Sequence, residues 1–202
     1  MSKAPGIFCL EGDWTERLVD RLSVEPQLRM LESARHCSAV IHRDAATRDE
    51  FAYYLDRWLL KKHSSFELGY LAFHGSESCI FLGRDAITLD ELAEMVRGRG
   101  GGRVLYFGSC RTLAASDEDL KFFCKSTGFK AVAGYTRDVD WLEAAAFDFI
   151  LLPALLSATY IKPIFARLRK DHERFVVGLG FRLATPTWAS PRRVALEAAA
   201  PS

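Results

Sequence analysis

A histidine and a cysteine, each closing an apolar run, are the residues of this chain best suited to chemistry. His74 follows Leu71-Ala72-Phe73 and precedes Gly75, and Cys110 follows Val104-Leu105-Tyr106-Phe107-Gly108-Ser109. An imidazole beside a thiol is a base with its nucleophile: the ring takes the proton and the thiolate attacks a carbonyl carbon. Glycine and serine around the two residues let backbone approach a substrate closely. The N–H groups of Gly75 and Cys110 are then the natural donors to the oxyanion that such an attack creates.

Both residues must be carried to one place, and the apolar runs predict how. Short apolar runs closed by small residues read as buried parallel strands, here residues 68–74 and 103–107. A first strand is expected over residues 6–12, a second over 37–42, a fifth over 130–135 and a last over 175–181. Residues 79–83 read as the return arm of a hairpin after residues 75–78. Helical spacing is expected over residues 14–22, 47–62, 88–96, 117–126, 140–158 and 163–172, whereas residues 24–35 read ambiguously. Alternating strands and helices predict an open α/β sheet covered on both faces, with ligands at the carboxyl edge of its strands. Residues 1–185 are expected to form one domain, and residues 186–202, rich in Ala, Pro and Arg, a flexible tail.

Composition narrows the function. With 202 residues, 49% hydrophobic, the chain can bury one good core, and its net charge of +1 offers no general field for nucleic acid or anionic membrane. Five cysteines without C-x-x-C spacing suit reduced thiols, and Cys9, Cys37, Cys79 and Cys124 fall in apolar runs. The apolar stretch 144–158 is interrupted by Asp148 and Pro153 and is too short to span a bilayer. With no signal peptide read at the N-terminus, a soluble, cytoplasmic protein is expected. His36, His42, His63 and His172 lack partners at ligand spacing, so neither a metal nor a cofactor is expected. Residues 98–102 are glycine-rich but lead into a strand without Gly-Lys-Ser/Thr, which argues against a phosphate loop.

Strand-His-Gly, a hairpin and helix, then strand-x-Ser-Cys resembles the caspase-like (clan CD) cysteine peptidases, in their bacterial CHAT and metacaspase-related branch. The segment Ala131 to Asp140 is similar to the CHAT segment after its fifth strand, and the likeness runs from residue 6 to about residue 182. The resemblance implies a caspase-like (caspase-hemoglobinase) three-layer α/β/α sandwich with a mostly parallel, roughly six-stranded sheet. It implies a cysteine endopeptidase with His74 as general base, Cys110 as nucleophile, and Gly75 and Cys110 as oxyanion donors. Carried over in the same way, the substrate-binding positions are Glu11, Asp13, Ser109, Tyr135, Asp138 and Asp140. That rim holds more acids than bases (Arg111, Arg137), which favours a basic residue before the cut. The segment from Arg111 to Glu118 is too short for an activation linker, so control by a regulatory partner protein, a ligand or assembly is expected. The implied partner is a protein substrate, such as a gasdermin-like pore former or another anti-phage effector. The alternatives are a catalytically silent caspase-like module for binding or assembly, and a flavodoxin-like or nucleotide-binding domain.

Overall fold

The computed structural model describes residues 4–193 apart from Glu16, Leu18 and Asp20. Its centre is a seven-stranded mixed sheet in the order β10-β9-β8-β7-β3-β1-β2. Five strands run parallel: β1 (Ile7–Glu11), β2 (Val40–Asp44), β3 (Leu68–Ala72), β7 (Val104–Phe107) and β8 (Ala131–Tyr135). β9 (Phe181–Thr185) and β10 (Trp188–Ala189) add two antiparallel strands at the β8 edge. A second, three-stranded sheet is formed by β4 (His74–Ser76), β5 (Cys79–Leu82) and β6 (Asp85–Thr88).

Side chains alternate across the strands, so each strand feeds two cores. Cys9, Tyr70, Tyr106 and Tyr135 point to one face, where α1 (Glu25–Ser33), α5 (Trp141–Leu156), α6 (Lys162–Asp171) and α7 (Glu173–Gly178) pack. Leu10, Leu71, Phe107 and Val132 point to the other face, covered by α2 (Arg48–Trp58), α3 (Leu89–Val96) and α4 (Asp117–Thr127). The result is an α/β fold with a layer of helices on each side of a mostly parallel sheet.

Local signals account for the helix starts. Thr47, Thr88 and Ser116 each accept from the third residue of the following helix, whose acidic side chain returns the bond, giving three capping boxes. Gly128, at φ 77°, ends α4 in the left-handed conformation that glycine adopts most easily.

Four expectations change. The ambiguous stretch 24–35 is helix α1, with Pro26 in its first turn. The helix expected over residues 14–22 is absent among its described residues, and Glu16, Leu18 and Asp20 lie outside them. Trp14 instead reaches out of this segment, its indole donating to Glu11 and its carbonyl oxygen lying 2.9 Å from His74 Nε2. Residues 175–178, expected to begin the last strand, belong to α7: Val176 and Leu179 reach the core at helical spacing, and Phe175 stacks on Phe147 at 5.5 Å. Gly180, at φ 62°, turns the chain into the true strand β9. Finally, residues expected in the flexible tail form β10, and Ser190 is buried with its hydroxyl accepting from Leu183 N at 3.0 Å. Residues 194–202 lie outside the described residues. No helix among the described residues is long and apolar enough to cross a membrane.

Candidate active site

β3 stops at Ala72, and the chain leaves the large sheet through Phe73 to start the small one at His74. This change of sheet turns His74 outward at the carboxyl edge. β7 stops at Phe107, and Gly108-Ser109 carry the chain to Cys110 beside it. β3 and β7 are hydrogen-bonded neighbours, with Leu71 opposite Phe107. The two runs are then tied beyond the ladder: Gly108 N donates to Leu71 O at 2.9 Å, and the Ser109 hydroxyl accepts from Phe73 N at 3.4 Å.

Two glycines are required by contact. A Cβ on Gly75 would lie 2.6 Å from Cys110 O and 2.6 Å from the Thr112 hydroxyl, so only glycine lets the hairpin dock on the cysteine loop. A Cβ on Gly108 would lie 2.3 Å from the Tyr70 ring.

His74 and Cys110 line one cavity of about 220 Å³, with His74 exposed and Cys110 half-buried. His74 Nε2 is 2.9 Å from the carbonyl oxygen of Trp14. A carbonyl only accepts, so Nε2 carries the proton, and in the neutral ring Nδ1 keeps its lone pair. The Trp14 indole meets the imidazole edge-on, ring centres 5.4 Å apart. At the cysteine, Val139 N donates to Sγ at 3.4 Å. The Cys110 N–H has no acceptor among the described residues. Gly75 stands opposite Ile80 in a hairpin closed at Ser76 and Cys79, the non-hydrogen-bonded position, which turns its N–H away from β5.

Glu11 holds the strap that carries Trp14. Its carboxylate accepts from Trp14 Nε1 at 2.5 Å, Ser23 Oγ at 2.6 Å, His42 Nε2 at 2.7 Å and Val24 N at 2.8 Å. Burial alone would raise the Glu11 carboxyl, but the hydrogen bonds from His42, Ser23, Trp14 and Val24 outweigh it and hold it below the usual range. Burial would likewise lower His42, and the bond and charge of Glu11 raise it instead. Ligand atoms of Glu11, His42 and Asp44 approach within 4.8 Å of one another, the spacing of a metal site. Glu11 and His42 are nevertheless committed to each other and to the strap.

The expected substrate-binding residues therefore separate. Ser109 is buried and serves as the tie between β3 and β7. Tyr135 is fully buried on the α5 face, its hydroxyl 2.7 Å from that of Tyr106, because residues 131, 133 and 135 share that side of β8. Asp140 caps α5 by accepting from Glu143 N at 3.0 Å. Asp13 and Asp138 are exposed, and neither lines the cavity of His74 and Cys110. Glu11 is turned into its own network.

The walls of that cavity come instead from Trp14, Val24, Tyr70, Phe73, Val139 and Trp141, with the Gln27 amide among them. Behind Gln27 and Tyr70 sits Asp148, wholly buried, accepting from Tyr70 at 2.6 Å, Tyr106 at 2.7 Å and Gln27 at 2.8 Å. Burial raises its carboxyl to about 7 against the lowering effect of these three bonds. The sequence carried a signal for this network: Asp148 breaks an apolar run, and one tyrosine sits in each of three neighbouring strands, β3, β7 and β8.

Fold and site together define an α/β protein whose sheet edge assembles a histidine, a free cysteine and an apolar cavity. The chain belongs to the family described as "Family of unknown function (DUF6642)", whose model matches residues 5–184. None of the curated proteins matches the chain.

Proposed function

We propose that the protein is a cysteine endopeptidase of caspase-like fold, with His74 and Cys110 as its catalytic pair. The observation that carries this reading is one cavity lined by both residues, with the imidazole oriented by a carbonyl through Nε2. Cys110 Sγ gives its proton to His74 Nδ1, and the thiolate attacks the carbonyl carbon of the scissile peptide. Negative charge on the carbonyl oxygen falls to the N–H groups of Cys110 and Gly75. His74 then protonates the departing amine, and the acyl group stays on sulphur as a thioester. Water, deprotonated by His74, attacks that thioester; the acid leaves and the thiol is restored.

The fit of the cavity argues for an apolar side chain before the cut rather than the basic one expected from the acids of the rim. The acids are engaged elsewhere or exposed, whereas tryptophan, tyrosine, phenylalanine and valine make the walls. At about 220 Å³ the cavity holds the equivalent of about seven waters at about 30 Å³ each, room for one large side chain.

Peptidyl acyloxymethyl ketones carrying Leu, Phe, Arg or Asp next to the warhead test the reading. The Leu and Phe probes are expected to label the protein at Cys110 at least tenfold faster than the Arg and Asp probes. Fastest labelling by the Arg probe refutes the apolar preference, and equal labelling of a His74→Ala variant refutes the catalytic pair. The protein substrate suggested by the resemblance, a gasdermin-like pore former, is tested by incubating the two together and looking for cleavage that Cys110→Ala abolishes.

A further inference from the structure

Beyond the nucleophile the surface changes character. Arg111 follows Cys110 directly, and it opens on a second, larger basin of about 860 Å³. Arg137, Arg192 and Arg193 also line this basin, with Glu77 as the one acidic side chain among the described residues. Glu77 pairs with Arg192 at 2.8 Å. Among the described residues, four arginines against one glutamate leave a local excess of three positive charges, on a chain whose total is +1. Arg111, Arg137 and Arg193 have no acidic partner among the described residues.

The backbone holds this group together. Arg111 adopts φ 57°, an unusual conformation for a side chain of its size, and its N–H donates to Arg137 O at 3.0 Å. Thr136 N in turn donates to Gly180 O at 3.0 Å, which fixes the end of β8 where Arg137 leaves the sheet. The fold thus gathers unneutralised guanidinium groups at a concave site one residue from the attacking sulphur.

We infer that this basin binds an acidic segment of the polypeptide substrate, on the side of the scissile bond away from the apolar cavity. The inference rests on the endopeptidase reading for the word substrate, but the binding itself does not. Guanidinium groups bind carboxylates through paired N–H donors. Cys110 lines the apolar cavity and Arg111, the next residue, lines the basin. Among the described residues no aromatic side chain lines the basin to stack a nucleotide base, which favours a peptide over a nucleotide.

The test uses the full chain with Cys110→Ala, so that nothing is turned over. Fluorescence anisotropy follows a labelled hexaglutamate peptide, with hexaglutamine, ATP and tripolyphosphate as comparison ligands. Hexaglutamate is expected to bind and hexaglutamine not, with affinity falling steeply as salt rises. Arg137→Glu and Arg193→Glu are each expected to weaken binding at least tenfold. Binding of ATP or tripolyphosphate without binding of hexaglutamate overturns the inference in favour of a phosphorylated small molecule. Absence of binding, or binding indifferent to the charge reversals, also overturns it. Because the readout is binding to an inactive variant, these outcomes stay separate from failure of the active-site probes to label the wild-type protein.

Discussion

The ring nitrogen Nε2 of His74 lies 2.9 Å from the carbonyl oxygen of Trp14. These residues come from different elements, and their contact exists because Glu11 grips the segment between β1 and α1. The indole of Trp14, the hydroxyl of Ser23 and the N–H of Val24 all end on that buried carboxylate. A residue with no place in the cavity thereby sets the tautomer of the proposed base.

Loosening the strap should therefore impair the base while the imidazole itself is kept. Trp14→Ala removes both the indole bond to Glu11 and the ring contact with His74, and labelling of Cys110 by a matched probe is expected to slow about tenfold. A merely structural role predicts lost stability alone. A positioning role predicts, in addition, a displaced acidic limb in the pH profile of labelling, measured on folded protein.

Gly75→Ala places a methyl group 2.6 Å from Cys110 O, a contact that backbone cannot relieve cheaply. The expected cost is about 1–3 kcal/mol of stability, the usual range for overpacking, with loss of labelling even where the variant is folded. Urea denaturation and probe labelling on the same sample check the two effects. Full labelling would show that the hairpin does not need to dock so closely.

Asp148 supplies a pH prediction. Its carboxyl is raised by burial to about 7, so the folded state holds a proton that the unfolded chain releases near pH 4. Stability from this group is greatest at low pH and is lost as pH rises from about 4 to about 7, then levels. His42, raised above its ordinary value, contributes in the same direction and is lost as pH rises through its folded value. Glu11, held low, works oppositely: its contribution is present above the unfolded carboxylate range and lost as pH falls through its folded value. Denaturation midpoints between pH 5.5 and 8.5 should fall for the wild-type protein and fall less for Asp148→Asn. An equal slope in both would contradict the burial argument.

Most of the helices and parallel strands were legible because their signals are local. Capping at Thr88 and apolar runs such as Val104 to Phe107 each act within a few residues. The hairpin Cys79–Leu82 was legible for the same reason, and so was the delivery of His74 and Cys110 to one edge. What escaped depends on partners far along the chain. Trp14 to Leu22 has helical spacing, yet Trp14 is held by Glu11 and His74 across the sheet edge. Phe175-Val176-Val177 reads as strand by residue type, but the core accepts it at helical spacing under Phe147. The rim acids looked available in one dimension. In three, Glu11 is saturated by four donors and Asp140 is a cap.

The central claim is that Cys110 is a nucleophile activated by His74, and its labelling rate tests this most directly. Mass spectrometry of the protein treated with the Leu acyloxymethyl ketone should show one adduct, on Cys110, among the five cysteines. His74→Ala should slow its formation by roughly 10²-fold or more, the usual worth of a positioned base. Adducts spread over several cysteines, or an unchanged rate in His74→Ala, would contradict the account.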